Sequence, residues 1–149
     1  MTIKVSALSP NDREQWEQLY QGYADFYGMP MDQQILDRVW GWIFDPNERF
    51  FALIAKEERG FSVGLMHYRE MPSPLRGAKV GFLDDLFINP DCRGNGVVDL
   101  MFQRLNEEAQ AQGWPFVRWI TAEDNYRGRA VYDRLASKTA WQTYQMTVD

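Results

Sequence analysis

The chain has 149 residues, 45% of them apolar, which fits one globular domain over residues 1–149 with a core of ordinary size. Its net charge of −5 lacks the basic excess that binds a nucleic-acid backbone, so we expect no nucleic-acid partner. No apolar run approaches the roughly 20 residues that span a membrane, and one cysteine with one histidine offers too few zinc ligands, so we expect a cytoplasmic protein without metal.

The N-terminal third predicts one strand followed by two helices. Residues 2–7 have the pattern of a short strand. Ser9 can cap a helix, Pro10 suits its first position, and Asp12 can return the cap. Apolar side chains at three- and four-residue spacing then predict a helix to Tyr27, and a second helix is predicted over residues 32–44.

The middle of the chain predicts three strands. Residues 49–56 and 61–69 have the pattern of a hairpin with a slightly long loop. Two prolines within residues 71–74 are expected to end the second strand, and residues 79–88 predict another.

The last part predicts a long helix after the loop at residues 89–96, stopped at Gly113. A strand over 116–121, a helix over 125–136 and a closing strand over 141–148 complete a mixed α/β chain with one central sheet. The exposed edge of the closing strand would be available to a second copy, so a homodimer is compatible with this pattern.

The loop before the long helix is the segment that most directly suggests chemistry. A helix start exposes unpaired N–H groups and the positive end of the helix dipole, and glycines let a backbone approach an anion. An arginine adds charge-assisted hydrogen bonds to phosphate. The segment is therefore interpreted as a phosphate cradle, with a plain strand-to-helix turn as the alternative. Its residues are Arg93, Gly94, Asn95, Gly96, Val97 and Val98.

Two blocks in this sequence resemble the GCN5-related N-acetyltransferases (GNAT). Residues 84–96, DDLFINPDCRGNG, resemble the family's strand and its Arg/Gln-x-x-Gly-x-Gly/Ala loop, although Val98 stands where Gly or Ala is usual. Residues 119–125, WITAEDN, followed by AVYDRLA at 130–136, resemble its strand–Asn–helix–Tyr segment. The details are most similar to the branch named for yeast histone and D-amino-acid acetyltransferases.

This resemblance implies a mostly antiparallel, twisted central sheet flanked by about four helices. It also implies direct transfer of an acetyl group from acetyl-CoA to a primary amine in a ternary complex. The amine would be a small molecule, an amino acid, or a lysine or N-terminus of a peptide. A second interpretation is an acyl-CoA-binding regulator without transferase activity, and a third is a plain interaction module.

The resemblance also implies roles for the cosubstrate site. Backbone N–H groups of Leu86, Phe87 and Ile88 would polarise the thioester, while the Arg93–Val98 loop holds the pyrophosphate. Tyr132 would donate a proton to the departing thiolate, or it packs as a half-buried aromatic with a bonded hydroxyl. Asn125 would bind the pantetheine arm, act only as a helix N-cap, or do both.

The amine must lose a proton before it attacks, and Asp84 and Asp85 are the candidate bases. Adjacent strand residues face opposite sides, so only one of them is expected to face the pocket unless a bulge intervenes. The family more often uses the position matched by Asp84. The alternative for each is a purely structural pairing. His67 shares its strand face with apolar residues and is expected to be a satisfied core or rim histidine.

The first helix would form a wall of the acceptor site if the family plan holds. Tyr23, Asp25 and Tyr27 are the candidates to meet an amine, through cation–π contact or charge. The alternative is that this aromatic stripe belongs to the core. Cys92 is expected to be a loop residue without a catalytic role.

Overall fold

The computed structural model describes residues 2–149, which form two compact units, one ending at Trp119 and one comprising Ile120–Asp149. The second unit contains α4 (Tyr126–Leu135). The elements of the first unit are β1 (Ile3–Ala7), α1 (Arg13–Tyr27), α2 (Gln33–Phe44), β2 (Phe50–Glu57), β3 (Ser62–Ser73), β4 (Ala78–Ile88), α3 (Val97–Gln112) and β5 (Val117–Arg118).

The five strands form one sheet in the order β1-β2-β3-β4-β5. The first three pairings are antiparallel, and only β4 and β5 run parallel. The described residues also form four α-helices, three in the first unit and one in the second. The predicted mixed α/β class with a mostly antiparallel sheet is therefore confirmed.

The first two helices begin and end where local chemistry predicts. Ser9 and Asp12 form a reciprocal capping box around a single 3₁₀ turn, and α1 follows at Arg13. Asp32 caps α2 by accepting a hydrogen bond from the N–H of Ile35 at 2.9 Å. Gly28 ends α1 in the left-handed conformation that favours glycine.

Strand alternation divides the core between the two faces of the sheet. In β2, Leu53 and Ala55 belong to a cluster with the buried side of α3. Ala52 and Ile54 belong to a second cluster with the apolar sides of α1 and α2. The helices therefore cover both faces, and β2, β3 and β4 carry the core residues that hold them.

The predicted end of the second hairpin strand at residues 71–74 is wrong. β3 continues to Ser73, and Pro72 pairs with Lys79 of β4. The N–H of Glu70 donates to the carbonyl of Arg49, on the side of β2. Backbone N–H groups two residues apart in a strand point to the same side, so the nitrogen of Pro72 also faces the β2 side. β2 begins at Phe50 and offers no acceptor there, so the missing N–H costs the sheet no hydrogen bond.

The predictions for the last two strands also need correction. β5 has two residues, Val117 and Arg118, where a strand over 116–121 was expected. Residues 141–148 form no strand, and Trp141 and Tyr144 are exposed. Alternating side chains allow an extended segment but do not supply the neighbouring backbone that a strand needs. The strand edge on which the homodimer expectation rested is thus missing from the described residues.

Candidate functional site

A β-bulge places Asp84 outside the regular pairing of β3 and β4. His67 pairs with Asp85 and the next residue, Tyr68, pairs with Leu83, so Asp84 has no partner on β3. An extra residue of this kind shifts the side-chain alternation of its strand. The bulge that was the stated exception to strand alternation is therefore present, and both aspartates line the same cleft.

Beyond the bulge, β4 continues without β5. The parallel pairing ends at Phe82 and Arg118, whereas β4 runs on to Ile88. The N–H of Asn89 donates to β3, at the carbonyl of Val63, so alternation directs the N–H of Phe87 to β3 as well. The N–H groups of Leu86 and Ile88 consequently face the open edge left by β5.

The loop that follows has the backbone of an anion cradle. Gly94 and Gly96 have φ angles of 86° and 75°, and a Cβ on either would meet open space within 4 Å. Gly96 stands directly before α3, whose first turn carries N–H groups without partners inside the helix. The side chain of Val98 packs against the α3-side core cluster, which directs its bulk into the protein.

Arg93 connects this loop to the end of α1. Its guanidinium lies 5.5 Å from the ring centre of Phe26, an exposed residue of α1. Such a contact holds a cation in place without using its hydrogen-bond donors. The donors of Arg93 stay available to an anion at the loop. Cys92, half-buried, packs against the same core cluster as Val98.

A cleft of about 530 Å³ opens beside the bulge, between α2 and strands β2 to β4. It combines two arginines and four acids with an aromatic wall. Its lining residues are Tyr20, Val39, Trp42, Glu48, Arg49, Phe50, Arg69, Glu70, Asp84 and Asp85.

Asp85 is the anion of a buried hydrogen-bond network. His67, fully buried, has Nδ1 2.9 Å from Oδ2 of Asp85, and the Tyr20 hydroxyl donates to the same oxygen at 3.0 Å. Trp16 donates its indole N–H to Nε2 of His67 at 3.0 Å. An indole can only donate, so Nε2 holds no proton, and a neutral His67 donates through Nδ1 to the carboxylate. The expectation of a satisfied core histidine is confirmed.

The surroundings of the two aspartates shift their pKa values in opposite directions. Burial raises the pKa of Asp84, and the negative charge of Asp85 adds to this, although Arg69 opposes it. Burial would also raise the pKa of Asp85, but hydrogen bonds from His67, Tyr23 and Tyr20 outweigh it and keep that pKa below its usual range. Asp85 is thus held as an anion, while Asp84 is the carboxylate that takes up a proton more readily.

Asp84 also has unused bonding capacity. Its Oδ2 is buried and accepts no hydrogen bond from residues 2–149. Arg69 Nε lies 3.2 Å from this oxygen, which is the distance of an ion pair without the alignment of a hydrogen bond. A buried acceptor without a donor is costly, and this is one reason why the carboxyl of Asp84 takes up a proton more readily than that of Asp85.

The two arginines of the cleft were not singled out from the sequence. Arg49 binds both oxygens of Glu70 at 3.1 and 3.2 Å and donates to Gln112 at 2.7 Å. The arginines contact Glu70 on β3, Asp84 on β4 and Gln112 on α3. These side chains meet only because of how the strands and helix pack in the fold. No motif in the sequence marks them.

The predicted acceptor residues of α1 do not line this cleft. Tyr23 is half-buried and hydrogen-bonds to Asp85. Asp25 is exposed and accepts a hydrogen bond from Gln21 at 3.0 Å. Tyr27, at the end of α1, is 43% exposed. Its ring packs edge-on against Phe26 and is tilted against Tyr23, with the ring centres of Tyr23 and Tyr27 4.9 Å apart.

The second unit carries the other two predicted site residues. Asn125 caps α4 by accepting a hydrogen bond from the N–H of Gly128 at 3.2 Å, so its N-cap role is confirmed. Its amide also donates to Thr121 at 2.9 Å. Tyr132 lies on α4, two turns after that cap.

Two features are absent from residues 2–149. None of the helices in this range combines the length and apolar character of a membrane span. No group of three or more His, Cys, Asp or Glu side chains in this range is arranged to hold a metal ion.

Comparison with known proteins identifies relatives of this arrangement. A sequence model described as the acetyltransferase (GNAT) family matches residues 16–136. The D-amino-acid N-acetyltransferase HPA3 of Saccharomyces cerevisiae is 27% identical over 138 residues, which cover 92% of this chain and 86% of that protein.

Solved structures share the fold. The ribosomal-protein-alanine N-acetyltransferase of Brucella melitensis biovar Abortus 2308 superposes with a TM-score of 0.78 at 22% identity, covering 99% of this chain and all of the other. The structure of AAC(6')-Iy in complex with the bisubstrate analogue CoA-S-monomethyl-acetylneamine has a TM-score of 0.87 at 14% identity, covering 100% and 99% of the two chains.

Proposed function

Since the chain belongs to the acetyltransferase (GNAT) family, we propose that it moves an acetyl group from acetyl-CoA directly to a primary amine in a ternary complex. It is an acetyl-CoA-dependent N-acetyltransferase, and relatives are named for acting on D-amino acids, a ribosomal-protein alanine and aminoglycosides. The family match crosses from the first unit into the second, which supports one acetyltransferase domain over residues 1–149.

One observation carries this proposal: β4 runs past the end of its pairing with β5 and leads directly into the glycine loop at the start of α3. The N–H groups of Leu86 and Ile88 would donate to the thioester carbonyl oxygen as negative charge develops on it. The N–H of Phe87, turned to β3, would take no part.

The loop residues Arg93 to Val98 would hold the pyrophosphate of the coenzyme. The positive φ angles of Gly94 and Gly96 and the open space beside them fit an approaching anion. Arg93 would add charge-assisted hydrogen bonds. Val98 would contribute its N–H alone, because its side chain packs against the core.

In the acceptor cleft, Asp84 would take a proton from the ammonium group of the acceptor. Its raised pKa and its unpartnered buried oxygen suit a general base better than the fully bonded Asp85. The amine nitrogen then bonds to the acetyl carbon as the C–S bond breaks, and the nitrogen releases its second proton to water to leave the neutral amide. Tyr132 would give a proton to the departing thiolate, and Asn125 would bind the pantetheine arm, as the family resemblance implies.

A screen of thiol release from acetyl-CoA across an amine library tests this proposal, with calorimetry to measure acetyl-CoA binding separately. We expect binding and acceptor-dependent thiol release. Tight binding with no release across the screen would instead support an acyl-CoA-binding regulator. Val98 departs from the family's loop pattern, and a regulator without transferase activity would fit that departure, but its side chain lies against the core and not in the loop's open space.

We propose a cytoplasmic location, no metal, and no nucleic-acid or membrane partner. Tyr23, Asp25 and Tyr27 stay candidates for contact with the far end of a larger acceptor, outside the cleft.

A further inference from the structure

Arg69 is the cation of the cleft that keeps unused hydrogen-bond donors. Its side chain is 50% exposed, its Nε contacts Asp84, and its guanidinium stacks 5.0 Å from the ring centre of Phe82. Its two terminal nitrogens have no partner within residues 2–149. Because a guanidinium carries five donors in a planar fork, Arg69 still presents a pair of parallel N–H groups.

The other arginine of the cleft is already occupied. Arg49 makes a bidentate pair with Glu70, which Trp114 also holds by donating its indole N–H at 2.7 Å, and it donates to Gln112 as well. An anion that entered the cleft would have to displace these contacts to reach Arg49. Arg69 offers its fork without such a cost.

We propose that Arg69 receives the carboxylate of the acceptor, so that the cleft takes an α-amino acid whose amino group lies at Asp84. This inference rests on the proposed acetyl transfer. An α-amino acid carries its two charges on groups separated by two covalent bonds. The guanidinium of Arg69 and the carboxylate of Asp84, 3.2 Å apart, offer the opposite charges at comparable spacing.

The rest of the cleft fits such a substrate. Val39, Trp42 and Phe50 form an apolar and aromatic wall for a side chain. A polyamine or an aminoglycoside brings only positive charges, so it offers no anion to the guanidinium of Arg69. A simple amine would leave the fork of Arg69 unmatched.

A pair of acceptors that differ only in the carboxylate tests the inference. Thiol release is measured with both enantiomers of phenylalanine, with 2-phenylethylamine and with a polyamine, for the wild-type enzyme and for Arg69→Gln. We expect wild-type kcat/KM to favour at least one enantiomer of phenylalanine. Arg69→Gln should lower the ratio of kcat/KM for phenylalanine to kcat/KM for 2-phenylethylamine by about 10- to 100-fold, as for loss of one charge-assisted bidentate contact.

Arg76→Gln is the matched control. Arg76 is an exposed arginine that stacks 4.8 Å from the ring centre of Phe116, outside the cleft lining, so its loss removes the same charge and the same kind of stacking. Arg76→Gln should leave kcat/KM unchanged for both phenylalanine and 2-phenylethylamine. The acceptor pair also controls for an indirect effect of Arg69→Gln on Asp84. A change in the base would alter kcat/KM for both acceptors equally, whereas loss of carboxylate binding alters it for phenylalanine only.

Three results would overturn the inference. Equal turnover of 2-phenylethylamine and phenylalanine by the wild type, an equal loss on both in Arg69→Gln, or turnover of a polyamine alone would each remove the carboxylate from the recognition, while acetyl transfer itself would stand. No thiol release with these amines, together with release for another amine of the library, would overturn this inference alone. No release across the whole library, despite calorimetric binding of acetyl-CoA, would overturn the proposed transfer and this inference with it.

Discussion

Asp84 and Asp85 are neighbours in β4, yet both line one cleft, because the pairing with β3 slips by one residue between them. The same slip separates their environments. Asp85 stays in the ladder opposite His67 and is fully hydrogen-bonded, whereas Asp84 lies in the bulge with a buried oxygen that no donor reaches. Two identical side chains are thus adapted to different tasks by one backbone irregularity.

The first prediction concerns Asp84 as the base. Asp84→Asn should lower kcat by about 10²- to 10⁴-fold, the usual contribution of a positioned general base. Because burial raises its pKa, the wild-type kcat should fall with decreasing pH at values above the roughly 3.9 of a free aspartate. A pH series of thiol release at saturating acceptor measures both effects.

Glu58→Gln serves as the control for this variant, since Glu58 is an exposed carboxylate in the turn between β2 and β3. It should leave kcat and its pH profile unchanged, and calorimetry should give the same acetyl-CoA affinity for both variants. An Asp84→Asn enzyme that keeps wild-type kcat would exclude Asp84 as the base.

The second prediction concerns stability against pH. A carboxyl whose folded-state pKa is depressed stabilises the fold above its unfolded pKa, and this contribution is lost as pH falls through the folded value. Asp85 is such a group, so Asp85→Asn should cost about 1–3 kcal/mol of unfolding free energy at pH 7. The deficit should shrink as the pH falls below about 4. Urea denaturation at a series of pH values measures it.

Asp84→Asn should change the unfolding free energy in the opposite direction in the same experiment. Its folded-state pKa is raised, so its ionised form opposes folding at neutral pH, and the amide should leave stability at pH 7 unchanged or higher. A deficit of equal size for both variants, independent of pH, would contradict the separate environments described for the two aspartates.

Much of the fold follows from local signals. Three features depend only on residues close together in the sequence, and each lies where the sequence predicts it. They are the Ser9–Asp12 capping box, the apolar stripe of α1 and the end of α3 at Gly113. The continuation of β3 through Pro72 was missed, because it depends on where β2 begins, at Phe50, 22 residues away in sequence. The strand expected at 141–148 was wrong for the same reason: strand formation depends on a partner.

The candidate site divides in the same way. The loop at Arg93–Val98 and the Asp84–Asp85 pair carry recognisable residue types at short spacing, so the sequence alone identified them. The bulge that turns both aspartates to one cleft is a property of the pairing with β3. Arg69 lies 15 residues from its partner Asp84, and Trp16 lies 51 residues from its partner His67. No local sequence pattern predicts contacts over such separations.

The third prediction concerns the coenzyme loop. Gly96→Ala forces a side chain into a left-handed conformation that costs roughly 1–2 kcal/mol, so the turn should relax away from the geometry that aims its N–H groups. We expect CoA to bind at least about 10-fold more weakly by calorimetry. Gly60→Ala imposes the same strain at φ 91° in the hairpin turn and should lower stability without changing CoA affinity. Equal CoA affinities for the two variants would remove this loop from the coenzyme site.

The fourth prediction concerns the proton for the leaving thiolate. Tyr132→Phe keeps the ring on α4 and removes only the hydroxyl, so kcat should fall by about 100-fold or more while acetyl-CoA affinity changes little. Tyr126→Phe, on the same helix and 74% exposed, removes a hydroxyl without a proposed role and should behave as wild type. Steady-state thiol release and calorimetry on both variants give the two quantities. Unchanged turnover in Tyr132→Phe would mean that water or another group protonates the thiolate, and Tyr132 would then be a packing residue of α4.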